Sequence, residues 1–360
     1  MNGYSTAILS SYTEIRQLRD AARRLTQQDD TVLDPEFFLA SFSKGWAPRV
    51  VTVRRGGATV GMVYAKERVI SGLIPTGIVY ADGSLGDILL AHPSHQLNAF
   101  RSGMEALLAS PGIHGLRLRL LRNSIELAAI RQLIASRAID VHCSRIKPRD
   151  AGIWKNHAHV RLPDSYEQLL AALGSTTRHN FRYYRRRFES SGHRLIESLT
   201  LDELRSAALA LAPKSKFTDR LTRIEIEQRL GVVAAARRPL AIALKHKNGD
   251  WLSAIGGWYG SGGAVLLFQF NNEREFYQDS IALVLRVYLI ETLIRQGLKK
   301  LVIWAGTGPP LSRYASFRPS IAVHVDLPTF TWRAARFVIS RVGPWLPTPF
   351  ADMARWIVAQ

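Results

Sequence analysis

Residues 175–188 read STTRHNFRYYRRRF, with five arginines, one histidine and four aromatics. Guanidinium groups grip phosphate and carboxylate in a bidentate way. At about 100° per residue, Arg178, Arg182, Arg185 and Arg186 fall on one helical face, at i, i+4, i+7 and i+8. Phe181, Tyr184 and Phe188 form the adjoining face, Glu189 sits within reach of Arg185 or Arg186, and Arg187 points away from both. Ser175, Thr176 or Thr177 can cap the start. The pattern predicts an amphipathic helix that buries aromatics and displays a row of arginines. That row either grips an anion or is a solvated face whose long side chains cover apolar surface.

Other residue types could take part in chemistry. Gln269 and Asn271 alternate with Phe268 and Phe270 along a strand-like run. They either face a substrate or satisfy each other and nearby backbone. Tyr277 and Ser280 precede an apolar helix, where they either bind phosphate or carboxylate or act as plain caps. Tyr314 is a candidate general acid, against a packed aromatic beside Phe317; Glu291 and Asp279 are candidate bases, against surface or ion-pair roles on a helix. Trp258 and Tyr259 read as core. His157, His159 and His179 are too unevenly spaced for a metal site, and no cofactor metal is expected. Cys143, the only cysteine, excludes an internal disulfide and a multi-cysteine zinc site and is expected to be a buried thiol.

These residues need elements to hold them. The 360 residues are 47% hydrophobic with a formal net charge of +19, enough for a real core and biased toward anionic partners unless the excess is only an arginine-rich background. PRVVTVRRGGATVGMVYAKERV (48–69) is a hairpin around Gly56-Gly57. A strand is expected at 73–80, helices at 12–28, 35–42, 94–109 and 124–137, and GIHGLRLRLL (112–121) has the period of a half-buried strand. Helices follow at 164–174, 176–192, 200–211 and 219–230. Residues 238–272 read as three strands turned at Asn248-Gly249 and Gly260–Gly263. A helix spans 277–296 and ends at Gly297, and KKLVIWAG (299–306) is a buried strand. One α/β plan thus recurs, with a boundary near 140–160. The tail 327–360 sets Trp332, Trp345 and Trp356 among Arg333, Arg336, Arg341 and Arg355, which suits an anionic membrane surface, a sheet edge or a dimer contact. The first twenty residues lack a signal-peptide pattern, and the run 281–294 carries Arg286 and Glu291 and is too short to span a bilayer, so a cytoplasmic protein is expected, with membrane contact limited to the periphery.

RLPDSYEQLLAALGSTTRHNFRYYRRRFESSG (161–192) resembles a segment of the FemAB-like and CelD-like (BioF2-like) acyltransferases of the GNAT superfamily. There a strand leads into a helix ending in small residues, and a second helix carries Arg-x-x-x-Arg-Arg and a terminal Gly. Tyr277, Gly297, KKLVIWAG and GTGPPLSRYASFRP (306–319) match the family's later elements, and residues 48–69 and LRLRLL resemble its degenerate first copy; the likeness spans about residues 35–325. It implies an α/β (α+β) fold of two tandem GNAT-like domains, each a mixed, mostly antiparallel sheet flanked by helices. The division expected is 1–150, 151–326 with the active cleft, and the tail 327–360. It also implies transfer of an acyl group to an amine from acyl-CoA or aminoacyl-tRNA; the arginine row adds an acyl-carrier protein, an acidic carrier, as a further expected donor. Gln269, Asn271 and Tyr314 would then be catalytic, while Arg178, Arg182, Arg185, Arg186, Tyr277 and Ser280 would hold the donor. NNEREFYQDS stands where the family's usual phosphate loop would be, and Thr307, Gly308 and Pro309, followed by Ser312, Arg313 and Tyr314, stand where relatives often carry Asp or Glu and a Lys. Competing readings are a non-catalytic nucleic-acid-binding protein and a membrane-associated accessory protein of envelope polysaccharide export. An inward-facing Phe181, Tyr184 and Phe188 argues against base stacking.

Overall fold

The computed structural model describes residues 3–26, 34–42, 45–70, 74–83, 88–135, 140–145, 157–216, 221–260, 262–304, 307, 311–318 and 320–327, and 337–339, 341–342 and 345 of the tail. They form two compact units, one drawn from Met1–Leu25, Lys44–Ile146 and Pro319–Gln360, the other from Thr26–Ser43 and Lys147–Arg318.

In chain order the first stretch gives β1 (Tyr4–Leu9), α1 (Tyr12–Gln17), α2 (Arg19–Leu25), α3 (Pro35–Ala40), β2 (Trp46–Arg55), β3 (Ala58–Ile70), β4 (Ile74–Asp82), β5 (Leu89–Ala91), α4 (Gln96–Ala109), β6 (Gly115–Leu121), α5 (Ile125–Ala135) and β7 (Asp140–Arg145). Gly56 and Gly57 both take positive φ, as a two-residue hairpin turn twisted to match its strands requires. The first unit's sheet runs β1-β2-β3-β4-β6, then the late strand Ser320–Asp326, then β7, with β5 on β3. Counted with the second domain by the sequence reading, Ser320–Asp326 instead pairs with β6 and β7, so the expected boundary at 326 is too late. Helix α3 packs within the other unit, where Phe37 meets Trp258 edge-on at 4.8 Å.

β6 is not half-buried as its alternation predicts. Leu116, Leu118 and Leu120 pack in the core, and Arg117 and Arg119 are buried too. Arg117 meets Asp326 at 2.9 Å, and Arg119 reaches Asp82 at 3.7 Å and the Ser320 hydroxyl at 3.2 Å. Sequence alternation registers charge; it cannot register that carboxylates from neighbouring strands neutralise it.

The second unit is built from β8 (Ala158–Arg161), α6 (Tyr166–Ala172), α7 (Ser175–Ser190), β9 (Arg194–Ile196), α8 (Leu201–Leu211), α9 (Arg223–Ala234), β10 (Pro239–Lys245), β11 (Trp251–Gly260), β12 (Gly263–Asn271), α10 (Glu273–Phe276), α11 (Ile281–Arg295), β13 (Lys300–Ile303) and β14 (Ala315–Phe317); the returning strand is β15 (Ser320–Asp326). The sheet order is β14-β8-β13-β12-β11-β10-β9, antiparallel except for β12 beside β13. α6, α7 and α11 cover one face with Phe181, Phe188, Leu285 and Leu289; α8 and α9 cover the other with Leu204, Leu211 and Ile226 against Phe268 and Phe270. Gly297, at φ 75°, ends α11: its N–H bonds the Ile294 carbonyl and the Leu298 N–H bonds the Leu293 carbonyl. Of the expected tail contacts, Trp332 and Trp356 lie outside the described residues, and Trp345 is exposed.

Candidate active site

Gln269 and Asn271 meet at the C-terminal end of β12, past its described pairing with β13. The two strands pair in parallel only from Gly263–Lys300 to Leu266–Ile303, with one further bond from the Trp304 N–H to the Leu266 carbonyl. β12 then continues to Asn271, paired on its other side with β11. The register with β11 shifts at this same point: Gly256 opposes Phe268 and Gly257 opposes Leu266, leaving Leu267 as an extra residue. A bulge bends its strand and raises its local twist. Glycine is required opposite it, because a Cβ on Gly257 would stand 1.9 Å from the Val265 carbonyl oxygen and one on Gly256 would strike the Phe268 ring at 2.3 Å. Beyond the bulge, the Asn271 N–H and carbonyl, on the edge away from β11, are both taken by the Ser215 hydroxyl, at 2.5 and 2.8 Å. Backbone direction alternates along a strand, so Gln269 presents its N–H and carbonyl to the same edge, where β12 has no ladder partner past Leu266 among the described residues.

On the α11 side of this edge lies a chain of side-chain hydrogen bonds. The Ser253 hydroxyl donates to Asn271 Oδ1 at 2.6 Å. Gln269 Nε2 donates to Asn271 Oδ1 at 3.0 Å and to the Ala282 carbonyl at 2.9 Å. Arg286 Nε donates to Gln269 Oε1 at 2.6 Å, and Arg286 Nη1 to Thr307 Oγ1 at 2.8 Å. Gln269 and Asn271 thus meet, bonded to each other, and both amides are oriented by these partners. Burial lowers the pKa of Arg286, and Glu273 opposes the shift.

Tyr314 packs on the same core face as α11, and its hydroxyl accepts the Gly174 N–H at 2.5 Å, at the start of α7. That leaves the hydroxyl proton able to donate. No hydrogen bond joins Tyr314 to the Gln269 network among the described residues.

Helix α7 spans almost the expected segment, and Phe181 and Phe188 are buried with Tyr184 packed against the same core. Its four aligned arginines are not equivalent. Arg185 is spent inside the protein: Nη1 meets Glu291 at 2.7 Å, Nε meets Glu189 at 2.9 Å, and the guanidinium lies 4.8 Å from the Tyr288 ring centre. Burial lowers its pKa, but those carboxylates outweigh burial and raise it. Arg182 has a loose exposed contact with Glu167 at 3.5 Å. Arg178 and Arg186 have no carboxylate within 4.0 Å among the described residues. Arg187 reaches Asp279 at 2.8 Å, so Glu291 and Asp279, weighed as bases, are ion-pair partners.

Tyr277 does not open the long helix. It is exposed in a 3-10 turn, and α11 starts only at Ile281, because Ser280 takes the left-handed conformation at φ 48° and interrupts the chain direction. No side chain caps α11.

Reading the sequence missed Arg286 as a site residue, and with it Ser253 and Ser215. Two signals were available: an arginine inside the apolar run 281–294, and Gly256-Gly257 inside a strand, a pattern that marks bulges and close backbone approach. Among the described residues, no group of three or more His, Cys, Asp or Glu could hold a metal, and no helix is long and apolar enough to cross a membrane.

No family model and no curated protein matches the chain. Solved structures do. FemX superposes with a TM-score of 0.61 at 11% identity over 92% of this chain and 99% of FemX. A conserved protein of unknown function from Bacteroides thetaiotaomicron VPI-5482 gives 0.56 at 12% identity over 89% of this chain and 100% of that one. L-PGS from Bacillus licheniformis gives 0.53 at 10% identity over 96% and 97%. The resemblance read from residues 161–192 and the likeness to FemX point to the same scaffold, and the chain shares the FemX fold along nearly its whole length.

Proposed function

We propose that the second unit transfers an acyl or aminoacyl group from a thioester or tRNA donor to an amine. The observation that carries this reading is the bulged, open edge of β12. An edge whose Gln269 amide has no ladder partner among the described residues, closed at one end by Ser215, is suited to an extended donor arm that carries amides of its own. The Gln269 backbone would pair with that arm. The uncapped start of α11 would take a donor phosphate through its first N–H groups, with Arg178 and Arg186 as exposed cations for a longer phosphorylated donor or an acidic carrier. Aminoacyl donors are within the reading, because the family that residues 161–192 resemble includes members with such donors.

The chemistry needs an amine nitrogen to attack the donor carbonyl, a positive field for the oxyanion, and a proton for the leaving thiolate or ribose oxygen. Gln269 and Asn271, each hydrogen-bonded to neighbours, would fix the geometry beside the carbonyl more readily than they would exchange protons. Tyr314, whose oxygen accepts from Gly174 and whose proton remains to be given, fits the general acid.

Thermal-shift measurements with CoA, acetyl-CoA, a long-chain acyl-CoA and a charged tRNA test the donor. Release of thiol or deacylated tRNA on adding an amine tests the reaction. Stabilisation by a donor and amine-dependent release are expected. No stabilisation by any donor, with no release, rejects the proposal.

A further inference from the structure

Arg286 is a cation with no ion-pair partner among the described residues, Glu273 acting on it only from beyond 4.0 Å, in a helix that is otherwise apolar where it meets the sheet. Its neighbours Leu285 and Val287 are buried, as are Val284, Tyr288 and Leu289. Its two hydrogen-bond partners, Gln269 Oε1 and Thr307 Oγ1, are neutral. Among the described residues no carboxylate lies within 4.0 Å of it. Arg185 and Arg237 of this unit, also half-buried, are neutralised, the first by Glu189 and Glu291 and the second by Asp34 at 3.1 Å, whereas Arg229 shares with Arg286 the lack of a carboxylate within 4.0 Å among the described residues. A guanidinium removed from water without a counter-ion is costly, and neutral amide and hydroxyl partners orient it without offsetting its charge.

The surroundings also aim it. Gln269 cannot turn its amide to release the arginine, because Nε2 is held by Asn271 Oδ1 and the Ala282 carbonyl, and Asn271 Oδ1 is held in turn by Ser253. The donations from Arg286 through Gln269 and from Ser253 therefore converge on Asn271 Oδ1 and fix the guanidinium beside the end of β12. Of its five N–H groups, one on Nε and one on Nη1 are used, which leaves three on the two terminal nitrogens.

We propose that Arg286 is a binding residue for a carboxylate carried by the substrate, so that the amine acceptor or the transferred acyl group is itself an acid, as in an amino acid or peptide end. This rests on the reading that the β12 edge receives substrate. A neutral carbonyl would leave the charge uncompensated. A planar carboxylate matches the fork of the two terminal nitrogens and supplies the missing charge.

The test compares N-acetylglycine with N-acetylglycinamide, which differ only in the carboxylate, and with inorganic phosphate. Thermal shift and calorimetric titration are run on the full chain, wild type, Arg286→Gln and Arg286→Lys. N-acetylglycine is expected to stabilise the wild type and the amide is not. Affinity should fall at least about tenfold in Arg286→Gln and measurably in Arg286→Lys, which keeps the charge but loses the fork. Arg286→Lys also serves if the glutamine variant does not fold. Equal effects of acid and amide, unchanged affinity in the variants, or Arg286-dependent binding of phosphate alone overturns the proposal. Acetyl-CoA lacks a free carboxylate, so a chain that binds it but does not distinguish acid from amide retains the transferase reading and loses this one. The reverse result rejects acyl transfer and leaves the anion site.

Discussion

Arg185→Ala separates the structural from the ligand-facing arginines of α7. The side chain makes two carboxylate contacts at 2.7 and 2.9 Å and lies 4.8 Å from the Tyr288 ring centre. It is 28% exposed and Glu291 31%, so each pair is worth about 0.5–1 kcal/mol, short of what a buried bridge involves. The ring contact adds about 0.5–1 kcal/mol. Losing all three costs about 2 kcal/mol, or about 4–8 °C in the melting of a unit this size. Arg178→Ala and Arg186→Ala remove no ion pair and should move the melting temperature by no more than about 0.5 kcal/mol allows. Thermal denaturation followed by circular dichroism, with and without the best acyl donor, reads both effects. The donor-induced shift should shrink in Arg178→Ala and Arg186→Ala and persist in Arg185→Ala. Burial raises the Glu189 pKa, but its bonds from Arg185 and Tyr288 outweigh that and hold it below the ordinary 4.5. A depressed carboxylate stabilises the fold above its unfolded pKa, so this contribution is present above about pH 4.5 and is lost as pH falls through the folded value. A neutral melting temperature in Arg185→Ala together with a lost donor shift would refute the division and restore the whole row to ligand binding.

Four further outcomes follow from the same geometry. His159 is buried, Nδ1 has no hydrogen-bond partner among the described residues, and burial, with Arg318 and Lys300 adding to it, lowers its pKa from 6.5 to about 4. Because the unfolded chain then binds the extra proton more readily, stability is full above pH 6.5 and falls by about 3 kcal/mol toward pH 4. His159→Leu should flatten that part of a pH–denaturation series. Ser280→Gly relieves a left-handed serine and should leave the melting temperature equal or raise it by up to about 1 kcal/mol equivalent, read by the same melts. Gly297→Ala meets no atom within 4 Å, so its cost of about 1 kcal/mol is purely conformational, measurable by urea denaturation. Tyr314→Phe leaves the Gly174 N–H without its acceptor, costing about 1 kcal/mol, and should lower amine-dependent turnover more than donor affinity.

The sequence was most legible where a pattern is local. Gly56-Gly57, the turns between β10, β11 and β12, the Gly297 stop and the aromatic face of α7 each depend on residues within a turn or two of one another. Short strands without a repeat of their own, such as β8, β9, β14 and β15, escaped because their stability comes from partners far along the chain. Arginine spacing gave the shared face of Arg178, Arg182, Arg185 and Arg186 but not its division, since Glu291 lies 106 residues from Arg185.

The candidate site lies at the far end of that scale. Gln269 and Asn271 were legible as polar positions in an apolar strand, yet their meaning depends on a bulge set by Gly256 and Gly257 and on how far the described pairing with β13 runs. A ladder ends through the geometry of two strands, and no residue type announces it. The arginine was in view for the opposite reason to the one that matters. Arg286 entered the sequence reading as a charge too many for a membrane span, when the informative fact is that the fold supplies it with two oriented neutral acceptors and, among the described residues, no carboxylate within 4.0 Å. A charge that a fold holds in place without neutralising is the kind a ligand completes, and that separates Arg286 from the more conspicuous Arg185, whose charge the protein has already met.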